Sequence, residues 1–186
     1  MGQFLAMGLM HEIIVSRDEL KKEKISNEEL RHEIENTLLF DLKLYDETEE
    51  DKYLVFTLKD EALETDLIPF LEVLYPKVYK KDEKEQYHKL LEKLRSTPST
   101  EWIDLAKEKR YYAFRYDKYG EPRYITFSKP FLPNICLNFN SVMLYLGYGK
   151  IITEGIGDFL GFFKHCINEA HKEHPIAKSI RVYITG

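Results

Sequence analysis

Residues 3–15 read QFLAMGLMHEIIV, an apolar stretch that ends in a run of branched side chains. Its composition predicts a long, buried β-strand, and Gly8 within it predicts a bulge or a break. The stretch is shorter than the roughly 20 apolar residues that a membrane span needs. It also lacks the basic leader of a signal peptide and runs directly into His11 and Glu12. We therefore expect a strand of a soluble protein with no membrane partner.

The composition predicts one folded domain spanning residues 1–186. The chain of 186 residues is 44% hydrophobic, which is enough for a core of its own. Its aromatic content of 13% is dominated by 13 Tyr and 11 Phe and favours a sheet-rich interior or a large contact face. Because the only cysteines, Cys136 and Cys166, lie on different predicted elements, we expect no disulfide scaffold and a cytoplasmic location.

Charge is distributed unevenly along the chain. Residues 1–106 hold 25 Asp and Glu against 15 Lys and Arg, whereas residues 107–186 hold 7 against 12. The charge changes near a predicted short helix in STPSTEWIDLAKE, residues 96–108. This pattern suggests two related lobes within the domain, an acidic helical one over 1–98 and a basic one over 99–186. Neither part is charged enough to demand nucleic acid.

Helix and strand signals follow one another through the acidic part. Ser16 with Glu19, and Ser26 with Glu29, match the capping box and predict two helices. Strands near 40–46 and 52–59 should flank a solvated turn, DETEED. Helices are expected over 65–79, beginning close to Pro69, and over 84–96. The carboxylates Glu61, Glu64 and Asp66 occupy helix-start positions and are interpreted as such, not as an acid–base pair.

From residue 110 onward the hydrophobic period changes to two. Short apolar segments separated by turn signals predict an antiparallel meander that includes NICLNFN and VMLYLG as separate strands. A helix over about 156–173 and a strand SIRVYIT complete the chain. We therefore predict an α+β fold, a mostly antiparallel sheet with helices packed on one face.

Three histidines and a cysteine lie within residues 162–175, FFKHCINEAHKEHP. On a helix, His165, Cys166, His171 and His174 point in different directions and cannot converge on one tetrahedral ion. We predict no metal site there, although a two-histidine site completed by a residue elsewhere stays open. The glycines of KIITEGIGDFLG also depart from the dinucleotide-binding pattern, and other nucleotide and catalytic motifs are absent, so no cofactor is expected.

The segment PNICLNFNS, residues 133–141, carries an unusual polar face. If it is a strand, Ile135, Leu137 and Phe139 share one side. The other side holds Asn134, Cys136, Asn138 and Asn140, of which Asn134, Cys136 and Asn138 are the candidate binding residues. A cysteine among amides can line a pocket or, with a histidine from elsewhere, act as a nucleophile.

Residues 107–129 combine seven Lys and Arg with seven aromatic residues. The pattern fits an amphipathic hairpin whose alternate aromatics fill the core, a face for a protein partner, or a surface that stacks bases. Its candidate binding residues are Tyr112, Arg115, Lys118, Tyr119 and Arg123.

These observations favour an intracellular, non-enzymatic protein-interaction module, of the kind an inhibitor or immunity protein would be. The first alternative is an enzyme or small-ligand binder with a dispersed site near Cys136. The second is a nucleic-acid binder that uses the 107–129 hairpin. Pattern alone does not identify the partner or the oligomeric state.

Overall fold

The computed structural model describes residues 4–78, 83–108, 110–111, 114–119, 131–147 and 172–185. The strands are β1 (Phe4–Ser16), β2 (Tyr45–Glu49), β3 (Tyr53–Leu58), β4 (Arg115–Tyr119), β5 (Leu137–Gly147) and β6 (Ile180–Thr185). The α-helices are α1 (Arg17–Glu23), α2 (Asn27–Asn36), α3 (Asp60–Ala62), α4 (Ile68–Val78), α5 (Lys84–Arg95) and α6 (Trp102–Lys107). Short 3₁₀ turns occupy Leu42–Leu44, Ser99–Glu101 and Pro175–Ser179, and a π-helical turn occupies Leu63–Leu67.

The described strands form one antiparallel sheet in the order β2-β3-β1-β5-β4, and β6 also pairs with β1. β5 follows one edge of β1 from Leu5 to Val15. The other edge is shared, because β6 pairs with Phe4–Leu9 and β3 pairs with Glu12–Ser16. β1 is therefore the central strand, and the predicted α+β class with an antiparallel sheet is confirmed.

Register shifts interrupt the β1–β5 ladder between Met7 and Gly8 and again between Met10 and Glu12. At the first, the extra residue is Leu144 on β5, so β1 runs through Gly8 without the bulge or break that the sequence predicted there. At the second, His11 is an extra residue on β1, so it has no opposite number on β5. Beyond this bulge the side chains alternate regularly, with Ile13 and Val15 on one side of the sheet and Glu12 and Ile14 on the other.

We call the side that carries Ile13 and Val15 the aromatic face. Phe139 of β5 lies on it, opposite Ile13, and its ring stacks on Phe40 at 6.1 Å between centroids. The guanidinium carbon of Arg181 lies 3.8 Å from the centroid of the Phe40 ring. Arg181 also donates to the main-chain oxygen of Leu38, just beyond α2. These contacts attach the end of α2 to the sheet.

Arg181 is buried, and its described hydrogen bonds all go to main-chain oxygens, those of Leu38, Lys178 and Ile180. Burial lowers the pKa of this guanidinium to about 10. The group therefore stays charged at neutral pH, and the carbonyl dipoles and the Phe40 ring stabilise its charge.

The predicted helix starts are present, although one differs in detail. Ser26 and Glu29 form the full capping box, with the Glu29 carboxylate accepting from the Ser26 amide at 2.8 Å. At α1, Ser16 caps the amide of Glu19, but the Glu19 carboxylate accepts from the main-chain amide of Cys136 at 3.0 Å. The Glu19 side chain therefore joins α1 to the segment that leads into β5.

The second half of the acidic part is helical, as expected. The π-helical turn Leu63–Leu67 ends two residues before Pro69, which has no N–H to donate. The helix α4 begins at Ile68, so Pro69 lies in its first turn. In α5 the predicted apolar stripe is buried. Its members are Tyr87, Leu90, Leu91 and Leu94.

Two predictions of strand position differ from the structure. β2 covers Tyr45–Glu49, so most of the acidic stretch forms an edge strand and not the turn. An edge strand tolerates these charges because only one of its sides is paired, and Arg31 and Arg17 bind Glu47 and Glu49. The segments expected as two strands, NICLNFN and VMLYLG, contribute to one continuous strand, β5.

No described helix is long and apolar enough to cross a membrane. Strands from both parts of the chain enter the same sheet, and the division into lobes at residues 98 and 99 stays a prediction. Residues 156–171 of the expected helix, and the candidate residues Tyr112 and Arg123, lie outside the described residues, whereas Lys172 and Glu173 form a turn.

We predict that Gly8→Ala lowers the free energy of unfolding by about 1–3 kcal/mol, the usual cost of overpacking a filled core. A β-carbon on Gly8 would lie 2.7 Å from Cε1 of Tyr183, whose ring is buried and whose hydroxyl contacts Ser141 at 3.0 Å. Urea unfolding of Gly8→Ala, of Tyr183→Leu and of the double variant measures the coupling free energy between the two positions. Gly8→Ala should lower the free energy of unfolding less when residue 183 is leucine than when it is tyrosine. Equal losses in the two backgrounds would contradict the proposed contact.

Candidate functional site

A row of polar side chains crosses five strands on the side of the sheet opposite the aromatic face. The register places one residue of each strand in line, from the β2 edge to the β4 edge. We call this set the polar row; its members are Asp46, Thr57, Glu12, Asn140 and Lys118. The two ends are exposed and the three central residues are half-buried. A sheet face that served only as core would carry apolar residues here.

Glu12 is the centre of the polar row. Its Oε2 atom accepts a hydrogen bond from the Asn140 amide at 2.5 Å and a longer one from the Tyr116 hydroxyl at 3.4 Å. Lys107, at the end of α6, lies 5.4 Å from the centroid of the Tyr116 ring. The carboxylate is thus held by two neighbouring strands, and a lysine lies near one of its donors.

The Tyr116 phenol is shifted by this environment. Burial raises its pKa above the ordinary value of 10, and the Glu12 charge raises it further because a phenolate would be repelled. Tyr116 therefore acts as a hydrogen-bond donor at neutral pH and cannot serve as a base.

A second line of residues runs beside the polar row. Thr48, Val55, Ile14 and Asn138 follow one another across β2, β3, β1 and β5. Tyr53, two residues before Val55 on β3, lies on the same side of the sheet and is 43% exposed. The face therefore combines amide, hydroxyl, charged and aromatic groups, a composition typical of contact surfaces.

His11, the bulge residue, lies next to this row and is only 8% exposed. Its Nδ1 atom has no hydrogen-bond partner within the described structure. Burial lowers the pKa of His11 below 6.5, and Lys107 acts in the same direction, whereas Glu12 and Asp60 oppose the shift. The imidazole is therefore neutral at pH 7, with one buried nitrogen left unsatisfied.

The candidate residues of β4 are separated by strand alternation. Lys118 stands in the polar row, with Tyr116 on the same side. Arg115 points to the opposite side and binds the Asp117 carboxylate at 3.0 and 3.1 Å. Tyr119 is the last residue of β4 and pairs with Phe139. Of the three candidate residues in β4, therefore, Lys118 is the one that stands in the polar row.

The candidate residues around β5 have two different roles. Ile135, Leu137 and Phe139 are buried as the alternation required. Asn138 belongs to the polar side, next to the polar row. Asn134 has a positive φ of 68° and donates to the Glu23 carboxylate at 3.3 Å, so it anchors the entry to β5.

Cys136 is half-buried and lies at the same anchor, through its main-chain bond to Glu19. The Val15–Leu137 pair places Cys136 level with Ser16 on β1, five residues from His11. At about 3.3 Å per residue this separation is about 16 Å, too far for a hydrogen bond between the two side chains. His11 is therefore not the histidine that a Cys136 nucleophile would need.

One histidine of the 162–175 cluster is described, and its partner is a carboxylate from far away in sequence. His174 Nδ1 lies 2.7 Å from Oδ1 of Asp66, in the π-helical turn. Oδ2 of Asp66 accepts from the Ile176 amide at 2.9 Å. Asp66 is thus more than a helix-start residue. His165, Cys166 and His171 lie outside the described residues, and in the described part no three His, Cys, Asp or Glu side chains are grouped as metal ligands.

Sequence reasoning missed Glu12, Asn140 and Tyr116 as a connected group. Each lies on a different strand, and only the register between strands brings them together. The available signal was the polar residue Glu12 inside an otherwise apolar strand, which a buried strand seldom carries without a purpose. Comparison of the chain with protein-family models, curated proteins and solved structures gave no match.

We predict that His11 makes stability depend on pH. The pKa of His11 in the folded protein is lowered from 6.5. Its contribution to the free energy of unfolding is therefore complete above about pH 6.5, and it is lost as the pH falls through the pKa of the folded state. Urea unfolding at pH 7.5 and 5.5 should show that the free energy of unfolding falls more with this drop in pH for wild type than for His11→Leu. His32→Leu, which removes an exposed histidine, should resemble wild type. An equal loss of free energy of unfolding in wild type and His11→Leu would show that His11 does not cause the pH dependence.

At pH 7.5 we further expect His11→Leu to raise the free energy of unfolding by about 1 kcal/mol. Leaving a buried polar group unsatisfied costs about 1–3 kcal/mol, and leucine removes that cost while keeping an apolar side chain in the space. Thermal and urea unfolding at this pH measure the difference. A variant less stable than wild type would show that Nδ1 has a favourable interaction in the folded protein.

Proposed function

We propose that this chain is an intracellular protein-interaction module, and that the partner protein contacts the polar row together with Tyr53 and Asn138. The observation that carries the proposal is the polar row itself, a half-exposed line of side chains across five strands. Rigid strands hold these groups in place, so a partner meets a preorganised surface.

The charges of the row favour a protein over a nucleic acid as the partner. Asp46 at one end and Glu12 at the centre are acidic, and Lys118 at the other end is basic. A phosphate backbone requires a continuous positive surface, whereas a protein can match both signs. Arg115, which would add positive charge, is already bound to Asp117. An inhibitor-like or immunity-like role is one form that such an interaction takes.

Tyr53 and Lys118 are the side chains best suited to bind the partner. Both side chains are exposed and lie toward opposite edges of the same face. Tyrosine is also one of the residues that contribute most to binding energy at protein interfaces. The central Glu12 is already hydrogen-bonded, so it contributes shape and charge with little reorganisation.

The test is affinity capture of the tagged chain from its native lysate, with identification of bound proteins, followed by titration of the purified partner. We predict that Tyr53→Ser combined with Lys118→Glu raises the Kd of that partner about tenfold or more, since loss of an interface anchor costs over 1 kcal/mol. Far-UV circular dichroism should confirm that the variant stays folded.

Leu39→Asn is the matched control. Leu39 is 62% exposed and lies beside the Arg181 contact of the aromatic face, and asparagine tolerates its φ of 60°. Binding should survive this change. Binding lost with Leu39→Asn and kept with the double variant would move the interface to the other side of the sheet. A captured polyanion, with affinity that falls steeply with salt, would favour the nucleic-acid alternative.

A further inference from the structure

We propose that Asp66 and His174 form an acid–base site, in which Nε2 of His174 reacts with a small acyl compound and Asp66 positions the ring. The proposal goes beyond the interaction surface and uses different residues. It rests on the 2.7 Å contact between Asp66 Oδ1 and His174 Nδ1, on the fixation of that carboxylate, and on the second ring nitrogen, which has no hydrogen bond to a described residue.

The carboxylate determines which nitrogen carries the proton. An ionised Asp66 only accepts hydrogen bonds, so Nδ1 of His174 must be the donor. In the neutral ring Nε2 then carries the lone pair. Nε2 has no hydrogen-bond partner among the residues that the structure describes. It is therefore the nitrogen that remains for a proton or an electrophile.

Asp66 is held in place from two directions. Its second oxygen accepts from the main-chain amide of Ile176, so rotation of the carboxylate would break that bond. Its main chain belongs to the π-helical turn between α3 and α4, a feature that often occurs at functional sites. A carboxylate fixed in this way orients the imidazole without moving during a reaction.

Access to the pair limits the size of the substrate. The side chains of His174 and Asp66 are 12% and 15% exposed, so most of the pair is enclosed by the protein. The Phe70 ring stands edge-on to the imidazole, with the centroids 6.2 Å apart, and supplies an apolar wall. These features suit a small ester with an apolar group better than a polymer.

The reaction follows from the orientation of the ring. Nε2 attacks the carbonyl carbon of the ester and forms an N–C bond, while the C–O bond to the alcohol breaks and the alkoxide leaves with the electron pair. The acylated ring is positively charged, and the Asp66 carboxylate at Nδ1 compensates this charge. Water then attacks the acyl carbon and the N–C bond breaks, with its electron pair returning to Nε2. The carboxylic acid keeps the water oxygen and one proton, the alkoxide takes the second proton to give the alcohol, and the imidazole is neutral again.

The first measurement is the hydrolysis of p-nitrophenyl acetate by the whole chain, followed through the release of p-nitrophenolate. His174→Gln should abolish the enzyme-dependent rate. Asp66→Asn should lower it about tenfold or more, because the amide can donate to Nδ1 and so favour the wrong tautomer.

His32→Gln is the control, since His32 is exposed and its Nδ1 contacts the Asn36 amide instead of a carboxylate. Its rate should equal that of wild type. Imidazole nitrogen-15 shifts of wild type give a second reading that needs no variant, and should show the proton of neutral His174 on Nδ1. Equal rates for wild type and His174→Gln, or a proton on Nε2, would overturn the proposal.

Discussion

The structure depends on the pairing of β1 along both of its edges. One edge is taken by β5 over nearly the whole strand, and the other is divided between β6 and β3. A slip of one residue on any of these partners would turn apolar side chains to the wrong side of the sheet. Because three partners must agree, the register of β1 is fixed by more pairs than any single hairpin could supply.

The bulge at His11 connects this constraint to the candidate surface. Without the extra residue, Glu12 would not stand opposite Asn140, and the polar row would be broken at its centre. The same bulge leaves the His11 imidazole buried, and its Nδ1 atom has no hydrogen-bond partner in the part of the chain that the structure describes. The alignment of Glu12 and the cost at His11 are thus two results of one irregularity, and bulges commonly re-aim side chains in this way.

The sequence predicted those features that are local. The β1 strand, the Ser26 capping box, the α5 stripe and the alternation of Ile135, Leu137 and Phe139 all follow from neighbouring residues. β2 was displaced because five acidic or hydroxyl-bearing neighbours resemble a turn until Arg31 and Arg17 are known to face them. The polar row could not be predicted, since it requires the relative register of five strands. Asp66 and His174 are 108 positions apart, and no spacing rule joins them.

Asp66 shows why a structural and a chemical role can share one side chain. Its Oδ2 holds the start of the 3₁₀ turn Pro175–Ser179, which leads directly into β6 and so to the central strand. Its Oδ1 holds the imidazole of His174. The first bond would be satisfied equally by an asparagine oxygen, but only an ionised carboxylate obliges Nδ1 to be the donor. The protonation of the ring therefore separates the two roles: a purely structural residue needs the contact at Oδ2, whereas an acid–base site needs the lone pair at Nε2.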